Sequence, residues 1–203
     1  MYSTKTATTN NNEFNSSYMP VGINKHVHLK EVNVNKTQNG RDFLEFIFEN
    51  EQGQTASMTE WKNEKNMWIK TDEDLQRRDD AQFGRILQIM KAVKDDDNFE
   101  FEGNSFVEMI NWVKATIGGT PNNRLLRLKV VYDKNGYTKV SNLGIFVEPM
   151  CVDENESQIK LWKNDLLERP VQPDKEDDPL GSPNIGVTAP VTETKTGADD
   201  LPF

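Results

Sequence analysis

Two combinations of side chains in this 203-residue chain can do chemistry: aromatic rings beside cations, and carboxylates beside an apolar chain end. Arg41 and Phe43 stand two apart. Trp61 and Lys62 are adjacent, with Lys65, Trp68 and Lys70 close behind, and Arg127 and Lys129 are followed across a turn by Tyr137 and Lys139. A ring offers a π-face on which a nucleobase stacks, and Lys or Arg offers the charge that tracks a phosphate chain. Lys25, in the first apolar segment, adds a further cation. The second combination is Asp199-Asp200-Leu201-Pro202-Phe203, two acids before a proline-stiffened apolar tip. Such an end suits an apolar pocket with a cation near it on a protein partner.

Catalysis finds less to work with. A metal-dependent enzyme wants converging carboxylates, and the nearest candidates are Asp95-Asp96-Asp97 and Asp153-x-Asn155-x-Ser157. Both fall in expected loops, and the second has Gln158 and Asn164 where a calcium loop needs its glycine and its bidentate Glu. His26 and His28 lie on one strand with no third ligand in view, and a single cysteine, Cys151, excludes an internal disulfide. There is no glycine-rich phosphate loop and no paired nucleophile and base. Binding is expected, with neither cofactor nor metal.

The elements that position these residues follow from periodicity. Val27, Leu29, Val32 and Val34 form a strand with a register slip near Glu31, and Asn39-Gly40 turns it into a second strand. There Leu44, Phe46 and Phe48 take one face, which leaves Phe43 pointing outward beside Arg41. Gln52-Gly53 leads to a third strand ending near Trp61. The period then becomes helical: Phe83, Ile86, Leu87, Met90 and Val93 share one stripe, and Ser105-x-x-Glu108 caps a second helix carrying Met109, Ile110, Val113 and Ile117. Leu126, Leu128, Val130 and Tyr132 alternate with Arg127, Lys129 and Val131, so those two cations face away from the core stripe. Asn135-Gly136 turns the chain into a last strand from Tyr137 to Val147 around Gly144.

Three strands, helices and two strands is the order of an OB-fold, a mostly β, five-stranded Greek-key barrel with an α-helical connector between strands 3 and 4. Its shallow groove would gather Arg41, Phe43, Trp61, Lys62, Arg127, Lys129, Tyr137 and Lys139. Trp68 and Trp112 are expected to pack. The apolar stretch Ile159, Leu161, Trp162, Leu166 and Leu167 is expected to cap the barrel, with a homo-oligomer contact as its other use.

Residues 18–169 are thus one domain, after a polar leader, 1–17. From Pro170 the composition changes, with six of nine prolines in 170–203. Seven acids against Lys175 and Lys195 make this segment net −5, leaving −4 of the chain's −9 for the rest. It reads as a disordered acidic linker carrying the tip. No apolar run approaches the ~20 residues that span a bilayer, and no secretory leader is recognisable, so a cytoplasmic place is expected.

An OB-like body, a Pro/Gly/Ser-rich linker and an Asp-Asp-Leu-Pro-Phe end resemble the single-stranded DNA-binding proteins of bacteria and their phages. Members of that family typically end in aspartates and Ile-Pro-Phe, which Asp199 to Phe203 match position by position with Leu for Ile. The resemblance implies a tip that recruits replication, recombination and repair proteins, and that competes for the DNA groove when DNA is absent. The body departs from the bacterial pattern, lacking its opening strand motif and having a longer helical connector. A divergent, phage-encoded member in a bacterial host cell is implied. The other reading is an OB-like protein-interaction module whose tail mimics the tip of a host single-strand-binding protein.

Overall fold

The computed structural model describes residues 17–94, 96, 98–119, 124–151 and 153–170. The leader up to residue 16, the segment 171–203 and the tip with it lie outside the described residues. By its contacts the chain divides into two units, 1–171 and 172–203, and everything below concerns the first.

A three-stranded meander comes first: β1 (Gly22–Lys36), β2 (Asp42–Asn50) and β3 (Thr55–Trp61), each antiparallel to the next. Its first turn is closed by Thr37 N donating to Arg41 O at 2.9 Å, with Gly40 at φ +77°, a left-handed conformation that glycine adopts without strain. Two helices follow, α1 (Asp72–Lys94) and α2 (Phe106–Ile117). Ser105 caps α2 as the sequence predicts, its Oγ accepting from Glu108 N at 3.2 Å, while Glu108 Oε2 accepts from Asn104 N at 2.9 Å. The chain returns as β4 (Leu126–Tyr132), which pairs with the opposite edge of β1.

β1 therefore belongs to both halves of the sheet. Its residues 27–36 pair with β2 and its residues 22–27 with β4, with a register shift in each ladder. The shift between Leu29 and Glu31 is the predicted slip. The other surrounds His26, at φ +54°. Such bulges turn a strand sharply enough to carry a sheet round into a barrel.

The last strand differs from the single run expected. β5 (Thr138–Val140) and β6 (Val147–Pro149) both pair with β4, and residues 141–146 loop out between them. Lys129 holds the two sides of the loop together, its O accepting from Ser141 N at 2.9 Å and its N donating to Phe146 O at 2.8 Å. Phe146 returns fully buried to the core, and Gly144, at φ +63°, lies so close to the Trp162 ring that a Cβ would sit 3.0 Å from Nε1. With β3 and β5 facing each other across a seam, the result is a nearly closed, five-stranded antiparallel barrel with two helices, compatible with the OB-like architecture expected.

The core is continuous. Leu44, Phe46 and Phe48 of β2 meet Ile86, Met90 and Val93 of α1, Ile110 and Val113 of α2, and Leu126, Leu128 and Val130 of β4. Trp112 packs as expected, 4.9 Å from Phe101 and 6.1 Å from Phe83 by ring centroid. No helix among the described residues is long and apolar enough to cross a membrane.

Candidate nucleic-acid interface

Four of the predicted residues form one cluster on the outer face of β2 and β3. The ladder register sets Phe43 opposite Trp61, and their rings lie 4.6 Å apart by centroid with planes inclined by 33°. Arg41, leaving the β1–β2 turn, places its guanidinium carbon 5.3 Å from the Trp61 ring centroid and donates from Nη2 to Lys62 O at 3.1 Å. A cation over an exposed indole contributes about 0.5–1 kcal/mol, and an aromatic pair about 0.5–1.5 kcal/mol beyond its burial. The group is thus held in place while Trp61 stays 37% exposed.

It is also braced from below. Glu60 points to the opposite side of β3, is buried, and takes a two-pronged contact from Arg85 of α1, Nε to Oε1 at 2.7 Å and Nη2 to Oε2 at 2.9 Å. Gln82 of α1 donates to Glu60 Oε2 at 2.8 Å and to Trp61 O at 2.9 Å. A planar guanidinium bound at two points fixes angle as well as distance, so α1 sets the backbone beneath the Trp61 ring.

Lys139 is exposed on β5 and shares with Ser57 and Thr59 of β3 a cleft of about 210 Å³ across the seam. Tyr137 is exposed at the β4–β5 hairpin, where Asp133 Oδ1 accepts from its N at 2.9 Å; no described contact joins it to the Trp61 cluster. Lys25 lies elsewhere, ion-paired with Glu154. That ammonium holds the Glu154 carboxyl below the ordinary glutamate range.

Arg127 and Lys129 require correction. They do face away from the barrel core, but residues 150–151 and 153–167 cover that face, leaving Arg127 3% and Lys129 0% exposed. Lys129 Nζ donates to Asp165 Oδ2 at 3.0 Å, Leu143 O at 2.9 Å and Lys160 O at 3.1 Å. Arg127 donates to Cys151 Sγ at 3.1 Å and lies 3.9 Å from Glu148 and 3.8 Å from Glu154. Every proton of the Lys129 ammonium is taken, so it clamps the covering segment and is withdrawn from the surface. Nothing in residues 126–132 signals this, because the partner stands 36 positions away at Asp165.

Trp68, expected to pack, is 81% exposed. Ile159 is buried as the capping role requires, whereas Leu161, Trp162, Leu166 and Leu167 remain part-exposed. Asp153 caps a single 3-10 turn, Glu154–Glu156, with its carboxylate engaged by Asn155 N. His26 and His28 lie near different carboxylates, Glu51 at 3.8 Å and Glu49 at 3.5 Å. Asp95 and Asp97 lie outside the described residues.

The outer face is not uniformly basic. Glu45 and Glu49 continue the row of Phe43 along β2, and Glu31 stands beside them on β1. The hydrogen bond from Lys30, 2.7 Å, draws the Glu49 carboxyl below its ordinary range and raises the Lys30 ammonium above its own. The positive end of the face is therefore at Arg41 and Lys62. No known family model and no curated protein matches this chain, so its function has to be argued from this cluster and from the composition of its terminus.

Proposed function

We propose that the chain binds single-stranded DNA with little sequence preference on an OB-fold body, and recruits replication, recombination and repair proteins through Asp199 to Phe203. The observation that carries the reading is the Arg41–Trp61–Phe43 stack, braced by α1 and open to solvent on β2 and β3 of a small barrel. Stacking on such rings is worth about 1–3 kcal/mol per base and is indifferent to base identity, since every base has a π-face. Arg41 and Lys62 at one end, and Lys139 across the seam, supply the charge that tracks phosphates. No covalent step is involved: the protein coats and protects the strand, and the acidic tail, repelled by phosphate, stays available to partners.

One observation favours the other class of reading. Glu31, Glu45 and Glu49 share the outer face with the aromatic pair, which suits a protein partner better than a polyanion. Titrating tryptophan fluorescence with an oligodeoxythymidine of about 35 nucleotides, long enough for two or more sites of ordinary size, decides between them. At two salt concentrations and with duplex competitor, the expected result is tight, salt-sensitive quenching that duplex does not reverse. Absence of binding at low salt transfers the weight to an interaction module whose tail mimics a single-strand-binding tip.

A further inference from the structure

We infer that the loop joining β3 to α1 is a second stacking site, with Trp68 as its ring, on which a single strand leaving Trp61 continues. The inference rests on the single-strand-binding reading above.

Trp68 is 81% and Met67 77% exposed, more than any other large apolar side chain among the described residues. Exposure alone would suit a loose loop, but this one is pinned. Asn66 N donates to Ile69 O at 3.0 Å and Ile69 N to Asn66 O at 3.2 Å, while Asn66 Oδ1 accepts from Trp68 N at 2.8 Å and Ile69 N at 3.1 Å. Ile69 is buried as an anchor immediately after the exposed ring. At the two ends of the loop, Asn63 donates to Asp79 Oδ1 at 2.9 Å and Lys65 pairs with Asp72 at 2.6 Å. A ring carried on a pinned backbone has less conformational entropy to lose on binding than one on a loose loop, and a contact then yields more affinity.

Continuity and charge identify the occupant. The loop begins at Lys62, whose carbonyl accepts from the same Arg41 that lies over Trp61, so it leaves the barrel from within the Trp61 cluster. Residues 62–70 carry Lys62, Lys65 and Lys70 against Glu64 alone, in a chain that is −9 overall. A strand following the positive end of the groove is led onto this loop. Lys65 is engaged by Asp72, and Glu73 and Asp74 continue the acidic start of α1, so Trp68 contributes a base contact and little phosphate contact. An apolar pocket on a protein would also accept an exposed Trp and Met, and the test separates the two.

The experiment measures anisotropy of labelled oligodeoxythymidines, from about 5 to about 35 nucleotides to bracket the usual site sizes, with the full chain and with Trp68→Ala, Trp68→Phe and Trp61→Ala. Trp68→Ala is expected to bind the longer oligonucleotides roughly 5- to 150-fold more weakly, the equivalent of one lost stack. Trp68→Phe should restore most of the affinity, and the salt slope should not change. If Trp68→Ala matches the unmodified chain at every length while Trp61→Ala weakens binding, the loop serves a protein partner and only this inference falls. If the unmodified chain binds no single strand, both readings fall. An unchanged melting temperature for Trp68→Ala, expected from its exposure, guards against an effect through folding.

Discussion

At the scale of single residues, the outer cluster separates stacking from charge. Removing the Trp61 ring with Trp61→Ala is expected to cost about 1–3 kcal/mol of single-strand affinity with the salt slope retained. Arg41→Ala should instead lower the slope of log K against log salt by about 0.7 if Arg41 contacts one phosphate. Equal slopes in the two variants would mean that Arg41 only braces the indole. The Lys25–Glu154 pair makes a different prediction. Its carboxyl is held below the ordinary range in the folded chain, so as pH falls the unfolded chain takes up the proton first. The pair's contribution is complete above the usual glutamate value, about 4.3, and is lost as pH drops through the lower folded one. Melting temperatures of Glu154→Gln and the unmodified chain should differ by a constant amount near neutrality and converge in acid. Phe43, Trp61 and Arg41 were legible at this scale because period-two alternation tells which face a side chain takes. It does not tell whether that face stays open, which is why Arg127 and Lys129 were placed correctly on the strand and wrongly on the surface.

Among the elements, the segment 153–167 depends on the strand it covers. Lys129 and Asp165 are both wholly buried as side chains, and removing one partner of such a pair typically costs about 3–5 kcal/mol, because the other charge is left alone in a poor dielectric. Lys129→Ala is expected to lower denaturant stability by that amount, and Lys129→Met combined with Asp165→Leu to recover much of it; a loss below about 1 kcal/mol would mean that water reaches the site. The helices, the meander and its turns could be read in advance because each has a short-range signal: a stripe at helical spacing, a Ser-x-x-Glu cap, Asn-Gly and Gln-Gly turns. The divided last strand could not. Residues 137–149 carry apolar positions before and after Gly144, and only the return of Phe146 into the core shows that the chain leaves the ladder between them. Trp68 was misjudged for a related reason: an apolar residue beside Ile69 looks like a packing partner, whereas the turn at Asn66 sends the two in different directions.

Across the whole molecule, charge is divided between body and terminus. With −5 in residues 170–203 and −4 in the remainder, the proposed single-strand binding gains nothing from the charge of the terminus, which would compete with DNA for cations. Deleting Asp199 to Phe203 is expected to leave single-strand affinity unchanged or higher, most visibly at low salt, in the same anisotropy titration. Loss of binding on deletion would overturn the proposed division of labour between groove and tip. The barrel order itself was legible because the period changes from that of strands to that of helices and back, and its near-closure follows from the two bulges in β1, which belongs to both halves of the sheet. That double membership also orders events in time. The edge of β1 facing β2 finds its partner within a few residues, but the edge at residues 22–27 must wait for residues 126–130, a delay of roughly 5–20 s at ordinary rates of synthesis. A nascent chain therefore carries a half-satisfied first strand while a hundred residues are added, and a chain stalled before β4 would expose a sheet edge ready to pair with its neighbour on the next ribosome.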